Sequence, residues 1–261
     1  MSCPSGFNRK FWKRKSGLTD CLRFRLTDRA SNRLSPVRFL HLAGYPNGIA
    51  EDADEETREK QRVNRPYSVA SPHGDRLEFF IVRVDDGELT PHLWKLEPGD
   101  DIEVSEKAAG RFTLEKTPDA ENLWLVATGT GLAPYVAMLR TDEPWERYRK
   151  IVIVHGVRHA TDLAYTEELR EMEKSRGGAF KLVQALTRES ADGAMQGRIP
   201  ALIESGDLEK EVGCEMTKEA SAVLLCGNPA MLDSMEELLG KRSMVKHRSK
   251  APGQIVLERY W

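Results

Sequence analysis

The chain has 261 residues, of which 31% are charged, and its formal net charge is -2 at pH 7 with a pI of about 6.3. This near balance gives no electrostatic reason to expect nucleic-acid binding, which relies on a strongly basic surface. No apolar run reaches the roughly 18 residues that a membrane-spanning helix needs, so no membrane insertion is expected. The length is sufficient for two modest domains.

The N-terminus and the cysteines indicate a location. The first segment, MSCPSGFNRKFWKRKSG, is basic but lacks the apolar core of a secretory signal. It is either part of a transit peptide or, as we favour, the first segment of a cytosolic domain. The four cysteines, Cys3, Cys21, Cys214 and Cys226, are scattered without metal-ligand spacing, so no metal site is expected. We therefore predict a cytoplasmic protein.

Short strand-like runs separated by Pro, Gly and Asp fill the chain up to residue 118. They are LRFRL (22–26), VRFLHL (37–42), LEFFIVRV (77–84) and DIEVSE (101–106), with a further strand at the Asn64–Val69 segment. This pattern predicts an N-terminal antiparallel β-barrel domain over residues 1–118. The acidic stretch 51–60 predicts a solvent-exposed loop insertion.

From residue 119 onward, strand-like runs alternate with helix-like runs. Five strands are predicted, at 123–128, 151–156, 180–186, 222–226 and 254–258. Helix-like segments lie between them, three of which begin near Pro134, Pro200 and Pro229, where a missing N–H is tolerated. The alternation is typical of βαβ units. It predicts a C-terminal α/β domain over residues 119–261 with a parallel five-stranded sheet.

Glycines, hydroxyl groups and arginines follow the predicted parallel strands. The segments are Thr128-Gly129-Thr130-Gly131, Val157-Arg158, Thr187-Arg188 and Cys226-Gly227-Asn228-Pro229. Ligands of open α/β sheets bind beyond the carboxyl ends of the strands, and glycines admit a pyrophosphate close to the backbone. The Gly129-x-Gly131 turn alone is weak support, because Pro134 stands in place of the third glycine of G-x-G-x-x-G.

The arginines distinguish between the two nicotinamide dinucleotides. A fold that binds NAD tends to place an acid after its second strand, whereas an arginine there suits the 2′-phosphate of NADP. Arg158 follows the second strand and Arg188 the third, and Arg198 in QGRIP is a further candidate. Together they predict a guanidinium clamp for phosphate. The alternative is that these arginines are ordinary surface residues. His92, His155 and His159 show no ligand spacing and are assigned no function.

Five ordered motifs, spanning about residue 18 to the last residue, carry a family resemblance. They are Arg65-Pro66-Tyr67-Ser68, Gly87-Glu88-Leu89-Thr90, Thr128-Gly129-Thr130-Gly131-x-x-Pro134, Cys226-Gly227-Asn228-Pro229 and Glu258-Arg259-Tyr260-Trp261. In these motifs the chain resembles the ferredoxin/flavodoxin–NADP reductases of the bacterial type. The resemblance implies that FAD and NADP(H) are the cofactors.

The resemblance also implies residue roles toward FAD. Arg65 would neutralise the pyrophosphate, with Pro66 beside it in the motif, and Tyr67 would stack on the isoalloxazine. The Glu88-Leu89-Thr90 turn would hold the phosphates through backbone N–H and hydroxyl groups, and Ile81 would lie along the flavin. The terminal Tyr260 and Trp261 would shield the flavin or its adenine, since an anchored terminus is unusual.

The reacting atoms are implied to meet at a small set of residues. Ser68 would lie near flavin N5, Thr130 between flavin and nicotinamide, Cys226 against the nicotinamide, and Glu258 near that junction. Ser68, Cys226 and Glu258 are therefore the catalytic candidates. The set proposed to bind NADP comprises Gly129, Gly131, Val157, Arg158, Thr187, Arg188, Arg198, Cys226, Gly227 and Asn228.

The implied activity is hydride transfer between NADPH and flavin N5, with single electrons passing between the flavin and a separate ferredoxin or flavodoxin. The chain has no iron–sulfur spacing of its own, and we expect a monomer. Acidic partners predict a basic docking face, for which the candidates are Lys241, Arg242, Lys246, Arg248, Lys250 and the segment 9–15. Two alternatives remain: an NADPH-dependent flavin reductase serving an oxygenase or small-molecule acceptor, and a non-catalytic FAD electron-transfer subunit.

Overall fold

The computed structural model describes residues 7–16, 19–25, 39–45, 54–74, 76–97, 99–105 and 109–259. The chain divides into two compact units, Met1–Arg111 and Phe112–Trp261. The predicted boundary between residues 118 and 119 lies inside the second unit. The reason is local packing: the Phe112 ring lies 5.9 Å from that of Tyr135, and Arg147 donates to the Leu114 carbonyl at 2.8 Å.

The first unit contains a six-stranded sheet in which the described pairings are antiparallel. Its strands are β1 (Phe7–Ser16), β2 (Thr19–Arg25), β3 (Phe39–Gly44), β4 (Val63–Ser68), β5 (Arg76–Phe80) and β6 (Asp101–Val104). Their order in the sheet is β4-β3-β6-β1-β2-β5. The basic N-terminal segment, for which no strand was predicted, forms β1.

The core of the first unit follows the alternation of the strands. Leu40 and Leu42 of β3 and Leu77 and Phe79 of β5 enter one core cluster at every second position, as the two-residue period of a strand requires. They pack with residues of the short helix α2 (Thr90–Lys95), including Leu93, which is fully buried. This core supports strand β4, which carries Arg65, Pro66, Tyr67 and Ser68.

The prediction of a loop over the acidic stretch 51–60 was wrong for its second part. Residues Glu55–Gln61 form helix α1. Asp54 caps this helix by accepting a hydrogen bond from the Thr57 N–H at 2.7 Å, and Glu55 and Glu56 lie in the first turn, where negative charge favours a helix N-terminus. Asp followed by two acids and a run of helix formers was the overlooked start signal.

The second unit is built on a sheet whose six strands pair in parallel. They are β7 (Asn122–Thr128), β8 (Lys150–Val157), β9 (Phe180–Leu186), β10 (Met195–Gln196), β11 (Ser221–Gly227) and β12 (Ile255–Arg259), in the order β10-β9-β8-β7-β11-β12. The prediction of five strands was one short. The two-residue β10 has no apolar run that a pattern could detect, and it pairs with Ala185 and Leu186 at the end of β9.

Helices connect the parallel strands. They are α3 (Ala133–Leu139), α4 (Glu143–Arg147), α5 (Thr166–Arg176), α6 (Ile199–Glu204), α7 (Asp207–Val212) and α8 (Pro229–Lys241). Pro134, Pro200 and Pro229 all lie in the first turn of a helix, as predicted. The strands between them are buried on both faces, so that Trp124, Val152 and Leu225 are inaccessible to solvent. No helix in the described part of the chain is long and apolar enough to span a membrane.

Candidate nucleotide-binding sites

The carboxyl edge of the parallel sheet collects the loops that the sequence singled out. β7 and β8 are in register from Asn122 and Lys150 to Thr128 and Gly156, and β7 pairs with β11 up to Ala127 and Cys226. The segments 128–131, 157–158, 187–188 and 226–228 therefore emerge at the same edge of one sheet. That edge is where ligands of open α/β folds bind.

The loops after β7 and β11 interlock through their glycines. A Cβ placed on Gly131 would lie 2.4 Å from the Cys226 carbonyl oxygen, and one on Gly227 would lie 2.3 Å from Thr128 Oγ1. Only glycine permits so close an approach. The Asn228 N–H donates to Thr128 Oγ1 at 2.8 Å, which ties the two loops together. Gly131, Gly227 and Asn228 thus allow the loops after β7 and β11 to pack closely against each other at the carboxyl edge.

Gly129 is the open position of this pair of loops. Its φ is +53°, and a Cβ built on it would meet nothing within 4 Å. Its carbonyl oxygen is 3.0 Å from Nε2 of the buried His155. The loop after β7 is therefore held by the hydrogen bond between Gly129 and His155, while the space next to the Gly129 Cα atom is open. This open backbone satisfies one requirement of a phosphate or nucleotide cradle, namely close access to the main chain.

Arg158 and Arg188 lie on adjacent strand ends. The Arg188 N–H donates to the Arg158 carbonyl at 3.0 Å, and the Thr187 N–H donates to the Val157 carbonyl at 3.1 Å. Both arginine side chains are exposed, while Val157 is buried. An exposed guanidinium group has the fork geometry that suits a phosphate. Arg198, also exposed, follows β10, where the Gly197 N–H donates to the Leu186 carbonyl at 2.9 Å.

Cys226 and Glu258 are neighbours in the sheet. They form a register pair between β11 and β12. Cys226 is fully buried, and Glu258 is half-buried. The parallel pairing places both residues near the carboxyl edge, and the Cys226 carbonyl lies against Gly131 of the loop that contains Thr130. The structure therefore brings together two of the three catalytic candidates, while Ser68 belongs to the first unit, where it is buried at the end of β4.

The flavin motif of the first unit lies on β4. Arg65 is half-exposed and forms an ion pair with Glu88, and it also donates to the Asn64 carbonyl at 2.9 Å. Tyr67 packs against the core of this unit, and burial raises the pKa of its phenol to about 12, although Arg65 opposes the shift. The ring therefore stays neutral across the physiological pH range. Pro66, between them, is exposed on the same strand.

The turn from Val84 to Thr90 is closed by the threonine hydroxyl. Thr90 Oγ1 donates to the Val84 carbonyl at 2.9 Å and accepts from the Val84 N–H at 3.0 Å. Because the single hydroxyl proton is used within the turn, a donor to phosphate at this position must come from the backbone. Leu89 is buried. Ile81 is also buried, in the core of the first unit.

Several predicted residues have other positions or lie outside the described part. Tyr260 and Trp261 lie outside the described residues. Of the basic docking candidates in the second unit, three form ion pairs: Lys241 with Glu237 at 3.1 Å, Lys246 with Glu236 at 3.5 Å and Arg242 with Glu209 at 2.6 Å. Arg248 and Lys250 are exposed. They precede β12, whose first residue, Ile255, pairs with Val223.

Comparisons with known proteins agree over most of the chain. A family model described as the oxidoreductase NAD-binding domain matches residues 125–237. Flavodoxin/ferredoxin–NADP reductase of Escherichia coli (strain K12) is 45% identical over 203 residues, covering 77% of this chain and 82% of that protein. Ferredoxin–NADP reductase of Azotobacter vinelandii is 37% identical over 206 residues, covering 75% of this chain and 79% of that protein.

The fold is also shared with solved structures. A crystal structure of a ferredoxin NADP+ reductase from Neisseria gonorrhoeae, with bound FAD and NADP, matches with a TM-score of 0.83 and 25% identity. The match covers 97% of this chain and 98% of that one. The similarity thus includes both units.

Proposed function

This chain belongs to the flavodoxin/ferredoxin–NADP reductase family, and we propose that it transfers hydride between NADPH and the N5 atom of FAD, and single electrons between the flavin and a separate ferredoxin or flavodoxin. The observation that carries the nucleotide part is the pair of exposed arginines, Arg158 and Arg188, on adjacent strand ends at the edge that also carries the glycine loops. When bound, FAD couples two-electron and one-electron chemistry.

The second unit provides the NADP(H) site in this proposal. Arg158 and Arg188 bind the 2′-phosphate, with Val157, Thr187 and Arg198 beside them. The loops of Gly129, Gly131, Gly227 and Asn228 receive the rest of the nucleotide. The support is the interlocked backbone of these loops and the open space over Gly129. Cys226 and Glu258, paired across β11 and β12, orient the nicotinamide, with Thr130 next to it.

The first unit provides the FAD site. Arg65 is the group that neutralises the pyrophosphate, and the support is its half-exposed side chain on β4, where it pairs with the exposed Glu88. Tyr67, neutral and half-buried, presents an aromatic ring for stacking on the flavin. Ser68 follows it at the strand end, and Ile81 supports the site from the core. The phosphates take backbone donors from the turn around Leu89 and Thr90, and Tyr260 and Trp261 cover the flavin.

The proposal also covers the shape of the first sheet, the oligomeric state and the location of the protein. The sheet of the first unit closes into a barrel, supported by the antiparallel bridge between Val69 and Phe79, which joins the two outermost strands of the order. The residues proposed for both cofactors belong to one chain, so a monomer suffices for activity. Cys214 is a free thiol, as befits a reducing cytoplasm.

An anaerobic visible spectrum tests the proposal directly. The purified FAD-loaded protein is mixed with NADPH and, in parallel, with NADH. Bleaching of the flavin band by NADPH, with a much weaker response to NADH, is the expected result. A flavin spectrum that neither nucleotide changes would contradict hydride transfer and would favour a non-catalytic electron-transfer subunit. Equal bleaching by both would retain the enzyme but remove the role of Arg158 and Arg188.

A further inference from the structure

A buried histidine on one strand contacts the nucleotide loop that follows the next strand. His155 lies near the end of β8, in register with Ala127 of β7, and is inaccessible to solvent. Its Nε2 atom is 3.0 Å from the carbonyl oxygen of Gly129. No sequence pattern predicts a function for this residue, because the contact depends on the pairing of two strands.

The hydrogen bond defines the state of the imidazole ring. A carbonyl oxygen only accepts, so Nε2 carries the proton and donates it to Gly129. The other ring atom, Nδ1, is buried without a hydrogen-bonding partner among the described residues. Burial lowers the pKa of His155 to about 4. At neutral pH, His155 is therefore an uncharged donor with a fixed tautomer.

The same bond orients the donor group of the next residue. The peptide linking Gly129 to Thr130 is planar and trans, so its C=O and N–H point in opposite directions. Because the carbonyl points at His155, the Thr130 N–H points away from it. On Gly129 itself, a Cβ would meet no atom within 4 Å. Fixing the carbonyl thus also fixes a donor on the loop.

We propose that His155 is a positioning residue for the pyridine nucleotide: it holds the Gly129–Thr130 peptide so that the Thr130 N–H is presented to bound NADP(H). The inference rests on the proposed function, since it takes NADP(H) as the ligand of this edge. His155 does not touch the ligand in this scheme. It acts through the loop, by keeping one peptide plane in the binding orientation before the nucleotide arrives, which lowers the entropic cost of binding.

A purely structural role explains the geometry less well. Gln184, the register partner of His155 on β9, is equally a buried polar residue, but it has two side-chain partners: it donates to Thr166 Oγ1 at 2.9 Å and accepts from Arg170 at 3.4 Å. His155 leaves Nδ1 unpaired, which costs stability. An apolar side chain of similar size would avoid that cost but would not hold Gly129.

Calorimetric titration of FAD-loaded protein with NADP+ tests the inference. His155→Phe keeps the ring volume and removes the donor, whereas His155→Gln retains an N–H near the position of Nε2. We expect the Phe variant to raise the Kd about tenfold and the Gln variant to return it to within about threefold of the native value. Gln184→Leu is the matched control: it lowers the melting temperature but leaves the Kd within about twofold.

The outcomes separate this inference from the proposed function. A native protein that binds no NADP+ overturns the proposed function, and the inference with it. Native binding combined with an unchanged Kd in a folded His155→Phe variant overturns the inference alone. Equal weakening by Gln184→Leu also overturns it, because general destabilisation would then be sufficient. Rescue by His155→Gln supports it, since a loss of packing is not reversed by a hydrogen-bond donor.

A second measurement needs no variant. In the nuclear magnetic resonance spectrum of the native FAD-loaded protein, the Nε2–H tautomer of His155 is expected at pH 7, and the Thr130 amide is expected to shift when NADP+ is added. A charged ring, the opposite tautomer or an unmoved Thr130 amide would each overturn the inference even if His155→Phe fails to fold.

Discussion

At the scale of single residues, Arg158 and Arg149 form a natural pair for comparison, because they flank the two ends of β8. Arg158 follows the strand at the carboxyl edge, and Arg149 precedes it at the opposite edge. Both are exposed, so neither substitution should disturb the core. Any difference between them therefore reports on position at the sheet rather than on charge alone.

Replacing Arg158 by Gln is expected to reduce kcat/KM for NADPH by about ten- to a hundredfold, because a charge-assisted hydrogen bond to phosphate contributes about 1.5–3 kcal/mol. The value for NADH, which lacks the 2′-phosphate, should change little. Steady-state kinetics with both nucleotides provide the measurement. Arg149→Gln should leave both values at the native level. A loss shared equally by NADPH and NADH would show that Arg158 acts on the fold or on the common part of the nucleotide.

His155 also predicts a dependence of stability on pH. Its pKa is about 4 in the folded protein, lowered chiefly by burial and opposed by the Gly129 hydrogen bond and the nearby Asp162, against about 6.5 in an unfolded chain. The unfolded state therefore binds the proton more readily. The contribution is fully favourable to folding above pH 6.5 and is lost progressively as the pH falls toward 4, by about 3 kcal/mol at most.

The free energy of unfolding of His155→Gln should accordingly fall less steeply than that of the native protein between pH 6.5 and 4. Chemical denaturation of both proteins at several pH values measures the two slopes. Subtracting the two free energies of unfolding at each pH removes the contributions of the carboxylates that both proteins share. Parallel curves over this interval would mean that the pKa of His155 is not lowered in the folded protein.

At the scale of elements, a partly buried ion pair connects three helices of the second unit. Arg242, just after α8, donates to both carboxylate oxygens of Glu209 on α7, at 2.6 and 2.9 Å, and to the Ile203 carbonyl of α6 at 3.2 Å. Glu209 is 8% exposed and also accepts from the Met216 N–H at 2.6 Å. The pairing raises the pKa of Arg242. Arg242 thus has a structural role that its predicted place in a docking face did not anticipate.

Arg242→Met is expected to lower the local stability of these helices by about 3 kcal/mol, because it leaves the Glu209 carboxylate buried and unpaired. Amide exchange over α6, α7 and α8 should accelerate by about a hundredfold. The double variant Arg242→Met, Glu209→Leu removes both charges and should recover part of the loss. If the double variant exchanges faster than the single one, the packing of the side chains rather than the buried charge sets the stability.

The elements that could be predicted from sequence are those with a strong local signal. The buried strands β7, β8, β9 and β11 are rich in apolar residues, and the helices that follow begin with proline or end at glycine. α1 was missed because its charge was interpreted as solvation rather than as an N-terminal cap at Asp54. β10 could not be found, since two residues joined by their pairing with β9 carry no periodicity of their own.

In the candidate site, too, only the features encoded in a short stretch of sequence could be predicted. Motif spacing alone predicts that the segments after β7 and β11 belong to one edge. It does not reveal that Gly227 packs on Thr128 or that His155 holds Gly129, because both contacts depend on strand order and register. Thr90 was predicted as a phosphate ligand through its hydroxyl, yet that group closes its own turn. Side-chain hydrogen bonds within a turn are invisible to a motif.

At the scale of the whole molecule, the net charge of -2 gives no overall attraction for an acidic ferredoxin or flavodoxin. Docking must therefore depend on local charge. Two basic groups of the sequence remain candidates. One is Arg248 with Lys250, which are exposed and have no carboxylate partner among the described residues, and the other is the segment 9–15. The first group belongs to the unit that is proposed to bind NADP(H), and the second belongs to the unit that is proposed to bind FAD. Electrons leave the protein from the flavin, which favours a contact on the unit that is proposed to bind FAD.

Charge reversal at each group, with net charge held equal, can decide between them. Each Lys or Arg to Glu change removes two units of charge, so Lys13→Glu with Lys15→Glu and Arg248→Glu with Lys250→Glu both take the chain from -2 to -6. We expect the changes at Lys13 and Lys15 to lower kcat/KM for ferredoxin or flavodoxin by about tenfold at low salt. The changes at Arg248 and Lys250 should lower it by less than about twofold, because we propose that only the segment 9–15 lies in the contact. The difference should shrink as the ionic strength rises and the charges are screened. Reduction of a neutral quinone by NADPH should remain native in both, since it needs no docking surface. The reverse order of effects would place the partner against the second unit.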